Sequence, residues 1–164
     1  MAKIVWKKLK KEDLNKLIGY LEQMPEDKKP LYGLIGVKRN ELLSWLIGSF
    51  NKPHIVYFTK DNIVLSRRTL FAYKEVNSRV YEINGIKNVN IRRGVLLDSI
   101  QFEFSDGLKI RLRDVPKNQS DPIENFLKAG VGAFDKTTLS DEQLTNCYFA
   151  YKNAELIPKD VLKQ

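Results

Sequence analysis

The chain has only one cysteine, Cys147, and one histidine, His54, among its 164 residues. One cysteine excludes an intramolecular disulfide, a multi-cysteine zinc site and an iron–sulfur cluster, and one histidine excludes a two-histidine metal site. We therefore expect no metal, no cofactor and a reduced, cytoplasmic setting. Cys147 lies on the packing face of a predicted helix and His54 at the start of an apolar strand, so both are expected to be structural.

Long apolar runs are also missing. The longest stretch, residues 42–50, is interrupted by Ser44, Gly48 and Ser49 and falls well short of the about 20 residues that a membrane-spanning helix needs. The sequence thus indicates a soluble or peripheral protein rather than an integral one.

Catalytic motifs are absent as well. No serine stands in a Gly-x-Ser-x-Gly elbow, and no glycine-rich phosphate loop occurs. The carboxylates Asp98, Glu103, Asp106 and Asp114 are interleaved with lysine and arginine, which favours surface ion pairs over an acid/base pair. We predict that the protein is not an enzyme.

Positive charge is the main chemical feature, because 28 basic residues against 20 acidic ones give a net charge of +8. A basic surface attracts anionic membranes, nucleic acids and acidic proteins. Arginines at strand ends can hold a phosphate headgroup by bidentate hydrogen bonds. The candidate anion-binding residues are Lys7, Lys8, Lys38, Arg39, Lys52, Arg67, Arg68, Arg92 and Arg93.

An amphipathic helix is predicted over residues 9–24, because Leu14, Leu17, Ile18 and Leu21 recur at helical spacing. Lysines surround its beginning, so the helix either packs on the domain or lies on an anionic bilayer. A second, short helix is predicted after Asn40.

Alternating apolar and polar residues predict a series of short strands, typical of a barrel or sandwich. Their expected ranges are 31–37, 54–59, 63–68, 70–73, 80–83, 89–92, 95–104 and 108–115. A three-residue turn, Ser105-Asp106-Gly107, joins the last two strands. Only a loop with an odd number of residues places the apolar side chains of both strands on the same face of the sheet. This turn needs a left-handed conformation at Gly107.

Two helices follow the strands. Asp121, Pro122 and Glu124 predict a capping box at the start of the first, and Ser140 with Gln143 predicts another at the start of the second.

Two segments carry a resemblance to a known family. They are V-Y-F-T-K-D-N-I-V-L-S-R-R (56–68) and I-N-G-I-K-N-V-N-I-R-R-G-V-L-L-D-S-I-Q-F-E-F-S-D-G-L-K-I-R-L-R (83–113). Together they resemble the bacterial pleckstrin-homology-like domains. The resemblance implies an α+β fold, in which a bent, seven-stranded antiparallel β-barrel or sandwich is closed by the helix that starts at Pro122.

The expected organisation is an N-terminal amphipathic helix and connector (1–30), a pleckstrin-homology-like domain with its closing helix (31–132) and a C-terminal helical extension (133–164). The terminal helices either pack on the barrel or exchange between subunits.

The resemblance implies a noncatalytic binding scaffold rather than an enzyme. Our first hypothesis is an adaptor that binds an unidentified protein partner. The second is peripheral binding to anionic lipid headgroups through the basic loops and the N-terminal helix, and the third, less favoured, is nonspecific nucleic-acid binding.

Overall fold

The computed structural model describes residues 8–38, 52–69 and 74–162. Within these ranges the protein is α+β, with three α-helices and two antiparallel sheets. The elements are α1 (Lys11–Glu22), β1 (Tyr32–Lys38), β2 (Lys52–Phe58), β3 (Asn62–Arg68), β4 (Glu75–Glu82), β5 (Ile86–Arg92), β6 (Leu97–Phe104), β7 (Lys109–Pro116), α2 (Asp121–Ala129) and α3 (Asp141–Asn153). No helix in the described part is long and apolar enough to cross a membrane.

Neighbouring strands follow the order β4-β3-β2-β1-β7-β6-β5. Strands β1 to β4 pair as one antiparallel sheet, and β5 to β7 pair as the other. The sheets meet where Val37 of β1 pairs with Arg113 of β7. Within the described ranges β4 and β5 do not pair, because the 3-10 turn Ile83–Gly85 carries the chain from one sheet to the other. The sequence predicted a barrel or a sandwich, and the two sheets do not close into a barrel.

The core lies between the two sheets and is centred on aromatic rings. Phe58 of β2 is fully buried, and its ring centroid lies 6.1 Å from that of Phe102, 6.0 Å from that of Phe126 and 4.9 Å from that of Phe134. Phe126 belongs to α2, and Phe134 to the 3-10 turn after it. Helix α2 thus covers this core.

Helix α3 covers the opposite face of the four-stranded sheet. A Cβ atom on Gly33 would lie 2.7 Å from Cε1 of Tyr151, so only glycine lets the helix approach β1 this closely. Cys147 contacts the same strand, with its Sγ 3.5 Å from the Gly33 carbonyl oxygen. Burial raises the pKa of this thiol to about 11, which agrees with the predicted structural role.

Helix α1 is confirmed and packs on α3. Leu14, Leu17 and Leu21 are buried, and the Leu9 N–H donates to Oγ1 of Thr145 at 3.2 Å. The apolar face of α1 is therefore used inside the molecule rather than presented to a bilayer.

The β6–β7 hairpin has the predicted register. Ile100 pairs with Leu112 and Phe102 with Ile110, and Gly107 takes the left-handed conformation with φ of 88°. The apolar side chains of both strands therefore lie on the same, inner face, as a turn of three residues requires.

One of the two predicted capping boxes forms. Ser140 Oγ accepts from the Gln143 N–H at 3.2 Å, and Gln143 Oε1 accepts from the Ser140 N–H at 2.9 Å. The box predicted at Asp121 is wrong: the N-cap is Ser120, whose side chain makes no capping hydrogen bond. Asp121 is drawn instead into an ion pair with a distant arginine, described below.

Three strand predictions need correction. Strand β4 begins at Glu75 rather than at Val80, and Ile83 belongs to a 3-10 turn. Val95 and Leu96 lie in the β5–β6 connection rather than in β6. The strand predicted at 70–73 and the short helix predicted after Asn40 lie outside the described residues.

Candidate binding surface at the hairpin between β5 and β6

The connection between β5 and β6 exposes three consecutive aliphatic side chains. Val95 is 88% exposed, Leu96 77% and Leu97 46%. Isolated exposed aliphatic residues are normal on proteins, but a contiguous group indicates a surface that another molecule covers. We call residues 94–97 the hairpin tip.

The backbone of the hairpin tip is tightly folded. A Cβ atom on Gly94 would lie 2.0 Å from the carbonyl oxygen of Leu97, so a side chain at this position would collide with the backbone. The Gly94 N–H donates to Oδ1 of Asp98 at 3.1 Å. This hydrogen bond therefore fixes the backbone conformation at the base of the hairpin tip.

Arg93 ties the base of the tip to helix α2. Its Nη1 donates to Oδ2 of Asp98 at 3.1 Å and to Oγ of Ser120 at 2.7 Å. The same guanidinium pairs with Asp121 at 2.7 Å and with Glu124. Because its charge faces three carboxylates, this predicted anion-binding residue acts within the fold as a link between two elements.

Asp98 is the buried member of this network, with no exposed side-chain surface. Burial alone would raise the pKa of its carboxyl, but hydrogen bonds from Ser120, the Gly94 N–H and Arg93 outweigh that effect and hold the pKa below its ordinary value. The Ser120 hydroxyl donates to Asp98 at 2.6 Å. The carboxylate is thus ionised and fully engaged at neutral pH.

The outer face of the three-stranded sheet adjoins the hairpin tip. Ile100, Phe102 and Phe104 of β6 are buried, so the alternate residues and their register partners point outward. We call this set the outer sheet face. Its residues are Asn88, Asn90, Arg92, Ser99, Gln101, Glu103, Lys109 and Arg111, together with Arg113, which alternates with the buried Leu112 on β7.

Two adjoining clefts of about 370 and 270 Å³ open on this face and share Arg92, Ser99 and Arg111. Gln101 orients Arg111, because its Oε1 accepts from Nε at 3.0 Å and from Nη2 at 2.7 Å. The larger cleft also reaches Leu97 at the base of the tip. An arginine-lined cleft therefore lies directly beside the exposed aliphatic group.

The other predicted arginines lie on the other sheet. Arg68 is 4% exposed and pairs with Glu75 at 3.3 Å, whereas Arg67 is half-buried one position earlier on β3. Neither arginine lines the two clefts.

The predicted lysines that the structure describes belong to other elements than β5, β6 and β7. Lys8 is exposed and lies 3.9 Å from Asp141 of α3. Lys38 and Lys52 pair in the backbone register of β1 and β2. Lys7 and Arg39 lie outside the described residues.

Sequence reasoning did not include the hairpin tip, Ser99, Gln101 or Arg111 among the site residues. The turn predicted between β6 and β7 already places Gln101 beside Arg111. The pairing of Arg92 with Ser99 depends instead on the register between β5 and β6, which the sequence did not predict. Within residues 8–38, 52–69 and 74–162, no group of three or more histidine, cysteine or acidic residues is arranged to hold a metal ion.

No protein-family model matches the chain, and no curated protein sequence is significantly similar to it.

Proposed function

We propose that the protein is a noncatalytic binding module of pleckstrin-homology-like type in the bacterial cytoplasm, which attaches peripherally to anionic lipid surfaces. The strand arrangement supports the fold assignment: four strands and then three form two antiparallel sheets, and the helix after the last strand packs on the core between them. The lipid function rests on a local observation rather than on this likeness, because folds host many functions.

That observation is the exposed hairpin tip beside arginines. Full burial of one leucine or valine side chain in an apolar phase contributes about 1.5–3 kcal/mol, and most of the surface of Val95 and Leu96 is still in water. A basic residue near an anionic lipid surface adds about 1 kcal/mol. Together these contributions support reversible attachment in which the tip enters the bilayer interface.

Arg92 is well placed for the electrostatic part of this attachment. It is exposed, lies two residues before Gly94, and makes no ion pair within the described residues. An arginine beside an inserted apolar segment can hydrogen-bond lipid phosphates while the aliphatic side chains enter the acyl boundary. The buried apolar face of α1 takes no part in this proposal.

We expect Leu96→Asp to lower the affinity for vesicles of phosphatidylcholine and phosphatidylglycerol by at least about tenfold, since it places a charge in the apolar contact. Leu127→Asp is the matched control, because Leu127 is a leucine exposed to 42% on α2. Vesicle sedimentation across a salt series measures both. Absence of binding by the unmodified protein, or equal losses in the two variants, would refute the proposal.

A second candidate function, the protein-interaction adaptor, is favoured by strand β4. All of its residues except Tyr81 are exposed, including Val76 at 49% and Val80 at 61%. The Ile83 N–H donates to the Asp61 carbonyl, and in this register Ser78 and Val80 direct their backbone groups away from β3. An extended segment of a partner protein could pair with this edge.

Proline at Ser78 tests the adaptor function, because it removes an N–H that points away from β3 and leaves the existing ladder intact. We expect Ser78→Pro to lose a partner that the unmodified protein binds, while Ser78→Ala keeps it. Both variants lack the hydroxyl that donates to Ser66, so only the backbone N–H distinguishes them. Partner binding that is equal in both variants, measured by quantitative affinity capture, would argue against strand addition.

Nucleic-acid binding has the least support. None of the nine residues of the outer sheet face is aromatic, and single-stranded nucleic acids depend on aromatic platforms for base stacking.

A further inference from the structure

We propose that two copies of this chain associate through strand β4, which pairs antiparallel with β4 of the second copy around a two-fold axis at Val80. The pairing joins the four-stranded sheets of both copies into one continuous sheet. The inference rests on the exposed β4 edge of the adaptor function and names a second copy of the chain as the partner.

Strand β4 is an open edge of the sheet. Among the described strands it lies at one end of the strand order, so only β3 pairs with it. We call residues 78–82 the edge segment; all of them except Tyr81 are exposed, Val80 to 61%. The even-numbered residues of this segment direct their backbone N–H and C=O groups away from β3, because Ile83 donates to Asp61 and hydrogen-bonded pairs alternate along the ladder.

The edge segment lacks lysine, proline and irregular pairing, three features by which edge strands avoid association. The opposite edge strand, β5, has both Lys87 and a register shift between Ile86 and Asn88. The register shift of β4 lies outside the edge segment, opposite Arg67 and Arg68. Of the two edge strands, β4 is therefore the one that is suited to pairing.

The edge segment is complementary to itself when Val80 lies on the two-fold axis. Val80 then faces Val80 of the second copy, and three opposed pairs on each side of the axis keep their side chains on matching faces. The flanking pairs are Arg79 with Tyr81 and Ser78 with Glu82. An apolar contact thus forms on one face of the sheet, and a guanidinium lies beside an aromatic ring on the other face.

Tyr81 is already held in place for this contact. Its side chain is half-buried, and its ring centroid lies 4.8 Å from that of Phe104 on β6. Arg79 and Tyr81 of the second copy form a non-hydrogen-bonded pair, in which the Cα atoms approach to about 4.5 Å. A guanidinium at this distance can lie over the ring, and a ring that is fixed beforehand loses little freedom on association.

Other registers of the same pairing are less favourable. An axis at Arg79 places two guanidinium groups opposite each other, which is destabilising. An axis at Ser78 requires regular pairing at Val76, next to the register shift of β4. An axis at Tyr81 sets Val80 against the carboxylate of Glu82. The complementarity of the edge segment therefore favours the axis at Val80.

Sedimentation velocity of the full chain at increasing protein concentration tests this dimer. We expect a weak, concentration-dependent dimer, because a contact between two edge strands is small. Val80→Lys and Val80→Glu should each lower the association constant by about tenfold, since like charges then face each other across the axis. An equimolar mixture of the two variants should recover association, because opposite charges then meet.

Val76→Lys is the matched control. Val76 is a valine of the same strand that is exposed to 49%, and the substitution adds the same charge outside the edge segment. We expect its association constant to equal that of the unmodified protein. Because Val76 and Val80 are both exposed, none of these variants is expected to unfold, and circular dichroism checks this.

Three results would overturn the inference. A chain that stays monomeric at every concentration would refute the dimer. Equal weakening in Val76→Lys and Val80→Lys would indicate the register centred on Ser78 or a general effect of charge. A mixture of Val80→Lys and Val80→Glu that does not associate would place Val80 away from the two-fold axis.

The dimer and the adaptor function are refuted by different results. Capture of a different protein that is lost in Ser78→Pro, by a chain that is monomeric in sedimentation, would refute only the dimer. Dimer formation without capture of any other protein would support the second copy as the partner and refute only the adaptor function. Vesicle binding through the hairpin tip is measured separately, because β4 and the tip belong to different sheets.

Discussion

Replacing Phe58 with alanine is expected to lower the free energy of unfolding by about 3–5 kcal/mol, the usual cost of removing a buried phenyl ring. Phe58 has no exposed surface, and its ring contacts Phe102 of the other sheet as well as Phe126 of α2. The residue therefore joins the two sheets and the covering helix at one point. A loss of this size is a large part of the 5–15 kcal/mol that typically stabilises a domain.

Urea denaturation followed by circular dichroism measures this change. Phe58→Leu should cost less than Phe58→Ala, because leucine fills much of the ring volume. Leu127→Ala on the exposed side of α2 should change stability by about 0.5 kcal/mol or less. A cost below about 1 kcal/mol for Phe58→Ala would mean that this aromatic cluster is not the centre of the core.

Asp98→Asn is expected to cost about 2–3 kcal/mol, because hydrogen bonds to a buried charge are the stronger kind and their loss leaves donors unpaired. The asparagine has nearly the same size, but its single amide oxygen can replace only one of the two carboxylate oxygens. Either the Gly94 N–H or Arg93 therefore faces an NH2 group, which cannot accept a hydrogen bond. The effect is therefore electrostatic rather than a cavity. Asp106→Asn is the control, since Asp106 is exposed and lies in the β6–β7 turn.

The pH dependence of stability gives a second readout for Asp98. Its folded-state pKa is lowered, so its contribution is present above the unfolded pKa of about 3.9 and is lost as pH falls through the folded pKa. Asp98→Asn lacks this titration. The stability difference between the unmodified protein and Asp98→Asn should therefore shrink below about pH 4, and a difference that stays constant into strong acid would contradict the assignment.

Elements with local determinants were predictable from the sequence. Three such elements are confirmed, and each involves residues close in the chain. They are the leucine spacing of α1, the three-residue turn Ser105-Asp106-Gly107 and the capping box of Ser140 and Gln143. Local rules suffice where the partner of a residue lies a few positions away.

Predictions failed where a distant residue decided the outcome. The box at Asp121 looked complete locally, but Arg93, 28 positions earlier, draws Asp121 into an ion pair at 2.7 Å. Val95 and Leu96 continue the apolar pattern of β6, yet the close backbone contact at Gly94 keeps them in the connection.

The candidate site was predictable only in part. Arg92 and Arg93 were both chosen for their charge, and the structure separates them: Arg92 lines both clefts, whereas Arg93 is engaged with the acidic residues around α2. Charge alone does not distinguish a residue that offers its guanidinium to a ligand from one that links two elements. That distinction required the register of three strands.

The packing of α3 on β1 has a consequence for biosynthesis. Ile55 and Val64 lie on the sheet face that carries Gly33, and α3 covers this face. All seven strands of the described residues precede α3 in the chain. At about 5–20 residues per second the ribosome needs roughly 5–20 s to progress from the end of β2 to the end of α3. The nascent chain therefore presents an apolar sheet face during this interval, and we expect chaperones to bind it until α3 emerges.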